Sequence, residues 1–357
     1  MARVIPGTPA DSGIESCTAA IAVLGAGSIG AYVGGALLGA GCDVTLHGRA
    51  RMLARIEQYG LNLSDLHGRA LGLTAAQVPY ATDLSRLATA DLILVTVKSA
   101  DTASAAAAIL AHARPDALVI SLQNGVGNAD TLRRILPGMT VLAGMVPFNV
   151  VQTPDGRLHR GTAGELMVEA SPALRRWRSA FAAAHLPLVE CDDFTAVQWR
   201  KLLVNLNNAV NALSGVPLKS QLQQRDYRRS LALMVDEGRA VLRAAGIEPA
   251  RVISVGPRIF TLLLRLPDAL FVRVAARMLQ IDPEARSSMW EDLQAGRKTE
   301  VHYLNGAITA LADSLGLAAP VNRKMTELVS AAEAGSQGAL GARDMYRILK
   351  AARGQRG

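Results

Sequence analysis

The spacing of apolar positions changes near residue 192, and the change divides the chain in two. Before it, short unbroken apolar runs alternate with small-residue stretches of helical spacing. Ala20 to Leu24, "CDVTL", Leu92 to Val97 and Leu118 to Leu122 are such runs. Runs of this length between turn signals suit strands buried on both faces of a parallel sheet, with the intervening helices completing βα units. "TVLAGMVPFNVV", "GRLHRGTAGELMVE" and "LPLVECDD" read as further strands, partly joined by hairpins, that finish the sheet near residue 191. Beyond it, Phe194 to Leu213, Tyr227 to Ala245, Pro257 to Leu279 and Ser287 to Leu315 carry helical spacing, and strand-like alternation disappears. The pattern predicts an α/β N-terminal domain over 20–191 and an all-α C-terminal domain over 192–335. Residues 1–19 read as a disordered leader and 336–357 as a Gly/Arg-rich tail.

The first βα turn carries the most informative motif. The run Ala20 to Leu24 leads straight into Gly25, Ala26, Gly27, Ser28, Ile29 and Gly30, and then into a small-residue helix. In this strand–glycine–helix context GxGxxG is the dinucleotide fingerprint of a Rossmann fold. The first glycine makes the turn, the second lets backbone approach a pyrophosphate, and the third lets helix and strand pack closely. The helix N-terminus then faces the anion. An NAD site wants an acid at the end of the second strand, but the chain reads "LHGRAR", with Arg49 and Arg51 in that region. Guanidinium forks suit a 2′-phosphate, so NADP(H) is the expected cofactor.

The carboxyl ends of the other strands form the ligand crevice of such a sheet. Lys98, after Leu92 to Val97, and Asn124, after Leu118 to Leu122, therefore point to the same place as the glycine loop. Lys98 can neutralise a phosphate or carboxylate there, and Asn124 can brace nicotinamide and substrate; a solvated lysine and an Asn-Gly turn are the plainer alternatives.

The stretch "NLNNAVNALSG" packs four asparagines into seven positions after "WRKLLV". On one helix, Trp199, Leu202, Leu203, Leu206, Ala209, Val210 and Leu213 gather on one face, and Lys201, Asn205, Asn208 and, peripherally, Asn211 on the other. A merely solvated face draws on better helix formers; each Asn costs roughly half a kcal/mol relative to Ala. The face reads as the lining of a cleft, with Lys201 a proton donor and the amides orienting a polar substrate. In "SSMWEDLQAGRKTEVHYLNG", Ser288, Asp292, Gly296 and Glu300 recur every four residues as a second polar stripe, with room at Gly296.

Composition narrows the partners. The chain of 357 residues has a net charge of +8 and is half apolar, but its basic residues form no long run and its aromatics number fourteen. A nucleic-acid groove has little support, and a small anionic ligand fits better. Cys17, Cys42 and Cys191 lie far apart, without metal-ligand spacing, which fits a reducing cytoplasm and no metal site. No stretch reaches the roughly 18 apolar residues of a membrane span.

Together, "GAGSIG", "TVKS", "QNG", "WRKLLVN" and "SSMWEDLQAGRKTEVHYLNG" resemble the ketopantoate reductases, or 2-dehydropantoate 2-reductases, over nearly the whole chain after residue 20. The resemblance implies NADPH-dependent reduction of 2-dehydropantoate to (R)-pantoate, on the pantothenate and coenzyme A route, by a monomer or homodimer. It also implies a helical domain like that of 6-phosphogluconate dehydrogenases. Carried over by residue, it makes Lys201 the general acid, Asn205 and Ser288 substrate ligands, and Glu300 a substrate ligand close to the cofactor. Asn124 and Lys98 fall on the nicotinamide and phosphate side. The sequence departs from the family where Asn207-Asn208 and Asn211 replace its usual asparagine spacing, where Ala285 replaces an Asn, and in a longer basic apolar segment over 257–286, expected to be a lid or subunit contact. Two other readings stay open: a reductase of another small 2-keto acid, and a non-catalytic NADP-binding module.

Overall fold

The computed structural model describes residues 19–153, 155–250, 257–276 and 284–354, so all but the last residue of the expected leader lies outside the described residues. The N-terminal region runs β1 (Ala20–Leu24), α1 (Ser28–Gly39), β2 (Asp43–His47), α2 (Ala50–Tyr59), β3 (Leu61–Asp65), β4 (Ala70–Leu73), β5 (Tyr80–Ala81) and β6 (Leu92–Val95). It continues α3 (Thr102–His112), β7 (Leu118–Ser121), α4 (Asn128–Ile135), β8 (Thr140–Met145), β9 (Val150–Gln152), β10 (Leu158–Arg160), β11 (Leu166–Glu169), α5 (Arg178–Ala183) and β12 (Leu188–Cys191). Eight strands form one sheet in the order β12-β11-β8-β7-β6-β1-β2-β5. Its pairings are parallel except β8 with β11. The apolar runs at β1, β6 and β7 are buried almost throughout, because α1 covers one face and α3 and α4 the other.

The chain leaves β1 for β2 in one direction and returns to β6 on the other side, which opens a crevice at the carboxyl ends of β1 and β6. Thr96 locks this switch point: its N–H donates to the Leu24 carbonyl at 2.9 Å and its hydroxyl to the Gly25 carbonyl at 2.8 Å. The short strands β4-β3-β10-β9 form a second sheet against α1, which the apolar pattern did not separate from the first.

Helices fill the rest: α6 (Phe194–Asn205), α7 (Asn207–Ser214), α8 (Leu218–Gln223), α9 (Arg225–Ala244), α10 (Pro257–Leu264), α11 (Asp268–Val274), α12 (Ser288–Gln294), α13 (Val301–Ser314), α14 (Pro320–Glu333) and α15 (Ala342–Gly354). Three expected long helices are each two. The first ends at Asn205 and restarts at Asn207, among poor helix formers. Pro267, at the N-cap of α11, divides the second, part of which lies outside the described residues. Gly296, at φ +61°, ends the run that begins at α12, a left-handed conformation glycine adopts without strain.

Two buried charges fasten this domain. Arg228, fully buried, donates to the carbonyls of Leu222, Leu264 and Leu266, pairs with Asp268 at 2.9 Å and stacks on Phe271, tying α10 and α11 to α9. Glu237 accepts the N–H groups of Val321 and Asn322 at 2.9 and 2.8 Å, an anion at the start of α14.

The segment read as a tail holds α15, whose Met345 and Leu349 are fully buried in the same core as α9. Its Gly/Arg content hides an apolar stripe at helical spacing. Met345→Ala should therefore lower unfolding stability by roughly 2–5 kcal/mol, as a core cavity does. Denaturant titration checks this; an unchanged midpoint would mean that the helix is not part of the core.

Candidate active site

The glycine loop lies at the crevice, and its three glycines meet different demands. Gly25 has φ +106°, and a Cβ there would sit 2.6 Å from the Val97 nitrogen. A Cβ on Gly30 would sit 2.4 Å from the Thr96 hydroxyl and 2.5 Å from the Gly25 carbonyl. Both are fixed by packing. Gly27 is different: among the described residues a Cβ there would meet only the Gly25 carbonyl, at 4.0 Å, so that side of the loop is open. The Gly25 and Ala26 N–H groups are used internally, both donating to the His47 carbonyl. Ser28, Ile29 and Gly30 open α1, where helix geometry offers their N–H groups no acceptor, and no acid stands in that turn. The Ser28 hydroxyl accepts from Gln152 at 3.1 Å.

A cradle of this kind fits an anionic dinucleotide. The end of β2 lies against it, since a Cβ on Gly48 would meet the Ala26 Cβ at 3.0 Å. Arg49 follows at the start of α2, its guanidinium 85% exposed and 3.5 Å from Asp101. Arg51 is also exposed.

The domains face each other across the carboxyl ends of β6, β7 and β8. Lys98, after β6, is exposed, yet its ammonium reaches Asp292 of α12 at 2.7 Å and the Lys298 carbonyl at 3.4 Å. Its charge is partly committed to joining the domains. Ser99, next in sequence, meets Glu300 at the start of α13: its N–H lies 3.3 Å and its hydroxyl 3.2 Å from Oε1. Asn124, after β7, is half-buried, and its carbonyl accepts from Ser99 at 3.0 Å and from Asn128 at 2.7 Å. The network continues through Thr102, Gln123 and Ser121, all buried.

Lys201, on α6, donates to the Val146 carbonyl in the β8–β9 connection. Burial pushes its ammonium down to about 8; the Glu300 carboxylate acts the other way, and Arg200 adds to the lowering. A lysine so tuned holds a proton at neutral pH and releases it readily, which suits a general acid. Asn205 lies one turn along, half-buried.

The asparagines do not share one face. Asn207 pairs with Gln221. Asn211 is fully buried rather than peripheral: it donates to the Val216 carbonyl at 3.0 Å and accepts the Ser287 N–H at 2.8 Å. These two hold α7 to its neighbours. Asn208 is half-buried in the first turn of α7, and its carbonyl accepts from Ser287. Ser287, missed in the sequence, caps α12, while Ser288 beside it is exposed. The expected four-residue stripe is broken at Gly296, where an added Cβ would meet open space rather than another backbone.

The sequence profile described as "Ketopantoate reductase PanE/ApbA" matches residues 21–172, and its C-terminal counterpart matches 193–333. The chain belongs to the ketopantoate reductase family. It is accordingly an oxidoreductase. Within the family, a protein of Halobacterium salinarum named 2-dehydropantoate 2-reductase is 34% identical over 88% of this chain and 98% of its own. The crystal structure of a PanE/ApbA family ketopantoate reductase from Ralstonia eutropha superposes with a TM-score of 0.76 at 32% identity, covering 89% of this chain and 99% of that one. A D-mandelate dehydrogenase, solved with NADH and anilino(oxo)acetate, shares the fold at 23% identity and a TM-score of 0.71, over 89% and 99% of the two chains. Among the described residues no helix is long and apolar enough to cross a membrane, and no cluster of His, Cys, Asp or Glu can hold a metal ion.

Ser99 and Gln123 lie in the motifs "TVKS" and "QNG" but had no role of their own in the sequence, while Thr102, Asn128 and Ser287 were missed, small polar side chains whose sequence signal is their place after a strand or before a helix. The electrostatics of Lys201 are directly measurable. A ¹³C NMR titration of the lysine side chains should give Lys201 a midpoint of about 8. Glu300→Ala should move it lower, because the carboxylate that favours the charged form is gone. An ordinary lysine midpoint near 10.4 would overturn the buried placement of the ammonium.

Proposed function

We propose that this chain reduces 2-dehydropantoate (ketopantoate) to (R)-pantoate with NADPH, in the biosynthesis of pantothenate and coenzyme A. The observation that carries the reading is Lys201: its ammonium donates to the Val146 carbonyl beyond the end of β8, one turn from Asn205 on the same helix, where burial lowers its proton affinity and Glu300 raises it. The shared name of relatives such as those of Halobacterium salinarum and Archaeoglobus fulgidus supports the substrate. Bound NADPH supplies the hydride for the keto carbon.

The chain's own residues do the rest. The open side of Gly27 and the α1 N-terminus, through Ser28, Ile29 and Gly30, receive the pyrophosphate, with Gly25 and Ala26 shaping the turn. Arg49 meets the 2′-phosphate, and Lys98 adds positive charge on the phosphate side. Asn124 braces nicotinamide and substrate. Lys201 stabilises the developing alkoxide and gives it a proton. Glu300 accepts a hydrogen bond from the substrate's hydroxyl and fixes its orientation, while Asn205, Asn208 and Ser288 bind the polar remainder. A non-catalytic binder has no use for such a lysine. Another small 2-keto acid is the second reading, favoured by the structural commitment of Asn207 and Asn211, which leaves Asn205 and Asn208 to line the cleft. The enzyme acts in the cytoplasm, as a monomer or homodimer, on a small molecule rather than on nucleic acid.

NADPH oxidation followed against a panel of 2-keto acids tests the substrate: ketopantoate should give the highest kcat/KM, and a different best substrate would replace it. Lys201→Ala should cut kcat by about a hundredfold or more; retained turnover would remove the lysine from the chemistry. Arg49→Asp should reverse the NADPH over NADH preference, because a carboxylate repels the 2′-phosphate, and an unchanged preference would assign cofactor choice elsewhere.

A further inference from the structure

Ser99 is the one residue of the N-terminal domain seen to hold the Glu300 carboxylate among the described contacts, and it does so from a buried position, 4% exposed. Its hydroxyl has two acceptors within reach, the Asn124 carbonyl at 3.0 Å and Glu300 Oε1 at 3.2 Å, but a single hydrogen. The Asn124 carbonyl already accepts from Asn128 at 2.7 Å, and Asn128 also donates to the Ser99 hydroxyl oxygen at 3.1 Å. The Asn124 carbonyl is the nearer acceptor and the carboxylate the stronger kind, so the hydroxyl hydrogen is shared between them. Ser99 thereby brings both its N–H and its hydroxyl within hydrogen-bond reach of one oxygen of Glu300, across the boundary between the domains.

We propose that Ser99 is a positioning residue for the reaction: it clamps Glu300 so that the carboxylate stands at a fixed place relative to Lys201 and the substrate. The geometry around it is built for that task. Ser99 begins a tight turn at the carboxyl end of β6, which leaves its N–H without a partner inside the turn. The Thr102 hydroxyl lies 2.9 Å from both the Ser99 carbonyl and Asn128 Oδ1, and Gln123 donates to it at 2.8 Å and to the Val97 carbonyl at 3.1 Å. The serine is thus fixed from its own side and free to fix a group on the other. Glu300 precedes α13 and is the group that raises the proton affinity of Lys201, so an ill-placed carboxylate disturbs both substrate orientation and the lysine.

This inference rests on the roles proposed for Lys201 and Glu300, and a double-mutant cycle on the whole enzyme separates the two. Using the 2-keto acid with the highest wild-type turnover, Ser99→Ala should lower kcat about tenfold, the scale of one charge-assisted hydrogen bond, with a much smaller change in KM. In a Glu300→Ala background the same substitution should change kcat less than about twofold, because the clamp has nothing left to hold. An equal loss in both backgrounds would make Ser99 a purely structural residue, and an undiminished kcat in Ser99→Ala would overturn the proposal outright. If Ser99→Ala does not fold, Ser99→Cys, which fills the space with a weak donor, enters the same cycle with the same two expectations. Failure of ketopantoate as substrate appears in the wild-type panel; failure of the clamp appears only in the ratio between backgrounds.

Discussion

A lysine ammonium withdrawn from water is the interaction on which the arrangement of this molecule turns. Desolvation of a cation is expensive unless a carbonyl or carboxylate replaces the lost water. For Lys201 the replacements are the Val146 carbonyl and the field of Glu300, and neither belongs to the helix that carries the lysine. The sheet, α6 and the start of α13 must therefore meet at one place for the charge to be tolerated. The helical core behind them, built on α9, holds α6 and α13 in that relation. Function and assembly of the two domains are here the same problem.

The contacts between the domains are polar where they approach the crevice. Lys98 meets Asp292 at 2.7 Å, and Ser99 meets Glu300 through both its N–H and its hydroxyl. Where such polar contacts continue into buried groups they specify geometry more strongly than apolar packing does, since each unsatisfied buried member carries its own desolvation cost. The Ser121–Gln123–Thr102–Asn128 chain beneath them gives these contacts a stiff footing.

Much of this was legible in the sequence because its signals are local. Unbroken apolar runs and GxGxxG in a βα turn report burial on two faces and a backbone approach, and β1, β6, β7 and α1 follow them closely. Helical spacing found the second domain but not its breaks, since Gly296 changes the chain's direction while the four-residue repeat of polar side chains runs on through it. The small second sheet escaped notice because strands as short as β9 and β10 offer three residues each, too few to establish a period. Of the asparagines, Asn205 could be placed relative to Lys201 by helical register alone. The partners of Asn207 and Asn211, namely Gln221, Val216 and Ser287, lie on other segments, and no local pattern carries that information.

The steric surroundings of α1 have a consequence for how this protein can vary. A methyl group at Gly30 collides with backbone, and one at Gly34 or Gly35 meets the buried side chains of Leu46 or Leu61 within 2.6 Å. Replacing helix glycines by alanine, an ordinary route to a stiffer protein, is closed at Gly30 and requires leucine side chains to shift at Gly34 and Gly35. Gly27 stands outside that restriction, with a negative φ and empty space beside it. Folding alone would permit a larger residue there, so a lineage that kept the architecture but abandoned the nucleotide would be free to lose this glycine first.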